Sequence, residues 1–455
     1  MGVNAGNRIE MAKKKQEAKD RADTKHPDYD KLKAKRDVVR AVIGGVDELL
    51  AKPDAYLPQY EGETQQSYDL RKQSATLNKY TKKAVKVLAG MVFAGPIAFK
   101  GTPQVIVDLS ENFDKEGNHI NVVARTSFEE NVLIDGYGGL VVDTPSTVVR
   151  NKKEQARLDL NPFARIYYAD AIWNWREGVD PVTKDKRLEM LVLRDDVQEP
   201  SGRFETEEAI YYRAYELTAA GVTLETFKVE AKTGELISQG AIKINTSRIP
   251  VPIAGELGAE PPLYDIARKN VEHFQTYSLM KSDAHKTCVP QRVIEGGSAD
   301  SIAPIAGDVT LFPGTGSNGQ FGKAYFIEVA GASLEFVRNL CKDIATDIAS
   351  MTNSIIAGKQ EGPDVTATGE IIDNTQETAE LRPMAEGFKD TLERVLGFMA
   401  ELMNKGVDAG GEVILGTQWA IAEQKQEENA KRQVLADEAN IEKTKAEAAS
   451  KLNGK

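Results

Sequence analysis

The stretch PPLYDIARKNVEHFQTYSLMKSDAHKTCVPQRVIEG, Pro261–Gly296, decides how the rest of the chain is read. Pro261 and Pro262 open it, and Leu263, Ile266, Ala267, Phe274, Tyr277 and Ala284 then recur on the spacing that gathers side chains on one helical face. Proline is tolerated at a helix start because its missing N–H would be unpaired there anyway, so a helix begins at the pair and ends before Pro290. Downstream, VTLFPGTGSNGQFGKAYFIEV (Val309–Val329) reads as strand, Pro-Gly turn, strand, and hence as a hairpin. A second helix starts near Ser333, with Leu334, Val337, Leu340, Cys341, Ile344 and Ile348 as its apolar stripe. Two long helices therefore bracket one small β unit.

The glycines of that unit imitate a phosphate cradle. Gly314, Gly316 and Gly319 fit a dinucleotide pattern, and Gly322-Lys323 resembles the end of a P-loop. Ser317 stands where the first P-loop glycine belongs, however, and Ala324 where the magnesium-binding hydroxyl belongs. Both motifs also need a following helix, whose N-terminal N–H groups hold the phosphate, and the residues that follow read as a strand. The segment is expected to be a contact loop; a nucleotide-binding enzyme using Gly314–Lys323 is the weaker alternative.

Composition narrows the function further. Cys288 and Cys341 are the only cysteines, which fits a reducing compartment and no disulfide framework. His26, His119, His273 and His285 lack ligand spacing, and no catalytic constellation stands out, so neither a cofactor, a metal nor an enzyme is expected. Asp343 and Asp347 lie one helical turn apart, as paired acids do, although a solvated helix face explains them equally. The net charge of −11 argues against a protein that coats DNA, because tight nonspecific binding needs cations that displace counterions from phosphates. Residues 1–40 nevertheless carry 12 Lys/Arg against 7 Asp/Glu, a basic start that leaves −16 on the remainder. The longest apolar runs are too short and too broken by Gly and Pro to span a bilayer, and no export signal is read at the front.

Along the chain, Tyr29–Leu50 and Thr64–Phe93 each show helical spacing, the second stopped by Gly95-Pro96. Residues 121–135 read as another helix leading into the strand LVVDTP. From Pro162 to Ile244, short apolar runs alternate with turn residues, as in an antiparallel meander. After a polar loop from Asn353 to Thr366, a helix is expected over Gly369–Met403 with a kink at Pro383. The C-terminal segment is rich in Ala, Glu, Lys and Gln with a heptad-like spacing of Val434, Ile441 and Ala448. The class is α+β.

Several stretches, in order, are similar to the portal proteins of tailed bacteriophages: YLPQYEGETQQSYDLRKQSATLNKYTKKAVKVLAGMVF, ARTSFEENVLIDGYGGLVVDTP, the opening stretch, and TATGEII. The similarity covers about Tyr56 to Met403. It departs at Ala94, where a basic residue is expected, and in the C-terminal tail. The resemblance implies a homododecameric ring at one capsid vertex, through which double-stranded DNA is packaged and ejected. It implies a basic N-terminal arm (1–28), a wing (29–260), stem helices (261–287 and 331–352) around a clip (288–330), a tunnel loop (353–368), a kinked long helix (369–405) and a crown helix (406–455). Lys359, Gln360, Glu361 and Asp364 would lie in the tunnel loop, and Asp343 and Asp347 would face the channel. Pro313, Gly314, Asn318, Gln320 and Phe321 would meet the terminase large subunit and then the head–tail adaptor. Major capsid protein and scaffold are the other implied partners, with assembly in the host cytoplasm and no membrane. The alternative structural reading is a minor capsid or scaffold-type protein without a channel.

Overall fold

The computed structural model describes residues 21–145, 160–287, 291–295, 309–312, 324–327, 332–357, 380–422, 424–425 and 431–432. Helix α1 (Tyr29–Gly44) is followed at Gly45, φ 118°, by a short helix, Val46–Ala51. That dihedral lies outside any right-handed helix, so the single helix expected through Leu50 is split. The helix expected over Thr64–Phe93 is also two: α2 (Gln65–Ser74), capped by the Thr64 hydroxyl on Ser67 N–H, and α3 (Tyr80–Val92). A distant side chain makes this break possible. Asn270 Oδ1 accepts from Thr81 N–H (3.0 Å) and Oγ1–H (3.1 Å), and its Nδ2 donates to Asn78 O (2.9 Å), supplying partners that local helix spacing cannot reveal.

The chain continues through β1 (Gly95–Lys100), α4 (Ile120–Ser127), a wide π turn (Phe128–Ile134) and β2 (Tyr137–Asp143). The run ARIYYADAIWNW is divided by a 3-10 turn at Ala169–Ala171 into β3 (Phe163–Tyr168) and β4 (Ile172–Val179), which belong to different sheets. Next come β5 (Lys186–Pro200), β6 (Thr206–Thr218), β7 (Gly221–Val229), β8 (Leu236–Ile244) and β9 (Ile253–Gly255). Strands β4 to β8 form the expected antiparallel meander in sequence order, while β3-β2-β9 form a second sheet. After α5 (Tyr264–Thr287) come β10 (Gln291–Glu295), β11 (Val309–Phe312) and β12 (Ala324–Ile327), then α6 (Ala332–Ala357), α7 (Leu381–Leu402) and β13 (Glu412–Gly416), which pairs with β1.

The hairpin expected at Val309–Val329 does not form. Strand β10 lies between β11 and β12, parallel to the first and antiparallel to the second. A turn-rich connection with strands on both sides looks like a hairpin locally; only long-range pairing shows that a third strand separates them. Helix α7 as described starts at Leu381, so Pro383 is its third residue, in the first turn where it removes no hydrogen bond. Residues 369–379, which the kinked-helix reading places upstream, lie outside the described residues.

The chain divides into two compact units: residues 1–36, 85–262 and 355–455 form the first, and 37–84 with 263–354 the second. In the first, alternate residues of the meander serve opposite faces, as a period of two requires. Leu191, Leu193, Tyr215 and Leu224 pack with Tyr137, Val141 and Val251, while Val192 and Tyr212 pack with Trp173 and Tyr29. The fully buried Arg36 donates to Asp170 Oδ1 from Nε (3.1 Å) and Nη2 (2.9 Å) and to Tyr137 Oη from Nη1 (3.3 Å). From Arg21 onward the N-terminal segment is tied to the meander: Trp173 Nε1 donates to Asp23 O (2.7 Å), His26 N–H donates to Trp173 O (2.9 Å), and the His26 ring stacks on Trp175 at 3.7 Å. Gly136 and Gly255 are both at positive φ where two backbones cross, and a Cβ on Gly255 would lie 2.2 Å from Gly136 O.

Candidate functional site

The second unit holds the helix–sheet–helix segment. Helix α5 is unusually polar on its buried side: Asn270, His273, Ser278 and Ser282 join Leu263, Ile266, Ala267 and Phe274 there. Besides the Asn270 network, Lys281 Nζ donates to Thr76 Oγ1 (2.6 Å) and Gln275 Nε2 to Tyr56 O (3.0 Å). Hydrogen bonds fix one register, whereas apolar packing alone tolerates sliding. His273 is 2% exposed, edge-on to Tyr80 (5.1 Å) and stacked on Tyr277 (5.6 Å). Its Nδ1 is buried with no hydrogen-bond partner, and burial pushes its pKa below the ordinary histidine value. Nearby, Arg71 is clamped: Nε donates to Glu63 Oε1 (2.9 Å), Nη2 to Glu63 Oε2 (2.7 Å) and Pro58 O (2.8 Å), and its guanidinium lies over Tyr60 and Tyr68.

Helix α6 is held differently. Cys341, Ile344 and Ile348 are buried at i, i+3 and i+7, a narrow stripe, and burial raises the Cys341 thiol pKa. Phe336 is 70% exposed and Leu340 38%, and with Asp343 and Asp347 they follow i, i+4, i+7, i+11, so all four share another stripe. The sequence reading placed Leu340 in the buried stripe, and it omitted Phe336. Phe336 falls two residues after Leu334 and one before Val337, off the stripe those two define, so the periodicity gave it no place. Both acids predicted here are exposed. Asp347 lies 3.7 Å from Lys269 Nζ on α5; Lys269 also pairs with Glu272 at 3.0 Å, and the hydrogen bond to Glu272 is the main cause of its raised pKa. A cleft of about 540 Å³ runs along this part of α5, lined by Tyr56, Asp265, Arg268, Lys269 and Glu272 among others.

The remaining predicted site residues, Lys359, Gln360, Glu361 and Asp364 of the tunnel loop and Pro313, Gly314, Asn318, Gln320 and Phe321 of the clip, lie outside the described residues. So does Lys323. The residues directly after it, Ala324–Ile327, are a strand, as the sequence reading required against a P-loop. Among the described residues no cluster of His, Cys, Asp and Glu is arranged to hold a metal ion, and no helix is long and apolar enough to cross a membrane.

A family model described as a domain of unknown function (DUF4055) matches residues 262–403, the segment from α5 to α7. No curated protein matches. Among solved structures, a chain from the virion of a native gene transfer agent particle is similar at 12% identity and a TM-score of 0.42, with 86% of this chain and 94% of that one covered. A chain from the neck of an empty gene transfer agent particle is similar at 12% identity and a TM-score of 0.42, with 84% and 93% covered.

Proposed function

We propose that this chain is the subunit of a phage portal ring, the channel through which DNA enters and leaves a capsid. The observation that carries this reading is the stripe on α6. A helix of 26 residues, about 39 Å long at 1.5 Å per residue, is attached to its own chain along one narrow line and presents Phe336 and Leu340 to water. Exposed apolar side chains one turn apart on such a helix suit lateral packing against a second copy. A ring repeats one heterologous contact until it closes, so each subunit needs two different complementary faces. The element order supports the same reading: an α/β unit, a long helix, a three-stranded sheet and a second long helix follow the order of wing, stem, clip and stem that the sequence resemblance implies. The matching polarity is supplied chiefly by Asp343, with Asp347 beside it partly offset by Lys269, since a channel that carries DNA must not bind it tightly and acids on the wall repel phosphate. Lys359 of the tunnel loop is the proposed sparse phosphate contact. The clip would dock terminase and then the adaptor, and the energy for translocation would come from the terminase.

The test is the particle's mass and shape. Mass photometry with negative-stain imaging of the purified chain should show a closed ring with a central hole at a multiple of 49.8 kDa. Leu340→Glu should shift the population to single subunits while leaving the circular dichroism spectrum unchanged. A sharp monomer peak at all salt and protein concentrations would remove the reading and favour a minor capsid or scaffold-type protein. Lys359→Glu should change packaged DNA length in assembled particles.

A further inference from the structure

The first unit carries a second concave surface that the ring reading does not use. It is a cleft of about 360 Å³ between β4–β5, the segment Arg248–Leu257 and α7. Half-buried Leu188, Ile253 and Leu257 contribute apolar surface, while Lys186, Arg187, Arg248 and Arg394 contribute four cations against two acids, Glu177 and Glu256.

Those charges are unevenly matched. Lys186 pairs with Glu177 at 2.9 Å, and Arg187 pairs with Asp180 but keeps a buried Nε–H without a hydrogen-bond partner. Arg248 and Arg394 are exposed; Arg248 lies near enough to Asp180, the partner of Arg187, to help hold that carboxyl below its ordinary pKa, while Arg394 has no ion pair or hydrogen bond among the described residues. A guanidinium fork matches a carboxylate or a phosphate bidentately, so Arg394 and Arg248, exposed beside an apolar floor, suit an anionic group carried next to an apolar one.

We infer that this cleft binds an acidic peptide segment, a carboxylate side chain next to an apolar one, presented by another protein. The apolar floor decides between the two anion sources. A peptide brings an aliphatic or aromatic side chain beside its carboxylate, whereas duplex DNA presents phosphates and sugars with no side chain to fill the floor. The size agrees, because about 360 Å³ accommodates a few residues and not a duplex. The inference does not depend on ring formation.

The experiment uses the full chain and a fluorescein-labelled peptide of alternating Asp and Leu, read by fluorescence anisotropy. Binding to the unaltered chain is expected, with roughly tenfold or greater weakening in Arg248→Ala/Arg394→Ala. Both side chains are exposed, so the double variant should fold, and Lys232→Ala, an exposed lysine on the β7–β8 turn, should bind as the unaltered chain does. A peptide of alternating Asp and Ser should bind more weakly. The inference is overturned if the unaltered chain does not bind the Asp-Leu peptide, if the double variant binds equally well, or if the Asp-Ser peptide matches it. It is also overturned if a short DNA duplex displaces the peptide from the cleft at lower concentration, which would assign the site to phosphate.

Discussion

Replacing Glu63 by Ala should destabilise the second unit far more than loss of an ordinary surface ion pair. Exposed pairs contribute about 0–1 kcal/mol, because water solvates each partner when the other is removed. Arg71 has no such recourse, being 1% exposed, and Glu63 is only 10% exposed. Its two Glu63 bonds are bidentate, and its Nη1 is already buried without a partner, so removing the carboxylate strands a cation among Tyr60, Tyr68 and the Pro58 carbonyl. Breaking a buried pair from one side costs about 3–5 kcal/mol, and the residual exposure of Glu63 favours the lower end, about 3 kcal/mol. At 1.4 kcal/mol per factor of ten that is on the order of a hundredfold loss of hydrogen-exchange protection. The assay is amide exchange over Gln65–Ser74 and Tyr264–Thr287, which reads this unit without relying on the other. Arg71→Met with Glu63→Leu should recover most of the loss, because neither charge then remains to be desolvated. Protection reduced less than fivefold in Glu63→Ala would refute the burial argument.

Two further outcomes follow from groups already described. Burial depresses the His273 pKa below the 6.5 of an unfolded chain, so as pH falls through that value the unfolded state takes up a proton the native state refuses. Stability should be fully present above pH 6.5 and decline below it, and His273→Phe should flatten denaturant midpoints measured at pH 7.5 and 5.5. Gly255→Ala should cost at least about 2 kcal/mol in urea unfolding, since it combines a positive φ with a Cβ 2.2 Å from Gly136 O; wild-type stability would show that the backbone crossing can open.

The sequence revealed the elements whose causes are local. The meander was legible because turn residues punctuate alternating apolar runs, and α5 and α6 were legible because their buried positions recur on one face. The errors came from long-range causes. Asn270 breaks the helix at Asn78–Thr81 from nearly two hundred residues away, and β10 separates two strands that look like a hairpin. At Gly45 the clue was present, but a helical pattern on both sides outweighed a single glycine.

The portal-like motifs also proved to be chiefly architectural. Within YLPQYEGETQQSYDLRKQ, Tyr60, Glu63, Tyr68 and Arg71 build the clasp, and within PPLYDIARKNVEHF, Asn270 and His273 fill the buried side of α5. These residues fix where the helix sits. The surface that the proposed ring would use is instead the second stripe of α6, whose members have unrelated chemistry: Phe336, Leu340, Asp343 and Asp347. Within one chain only Asp347 of the four has a partner given above, Lys269 on α5. In the proposed ring their purpose would be joint, another copy covering the apolar pair and leaving the acids beside a passing polyanion; that pairing shows in the exposure of the side chains and not in a hydrophobic period.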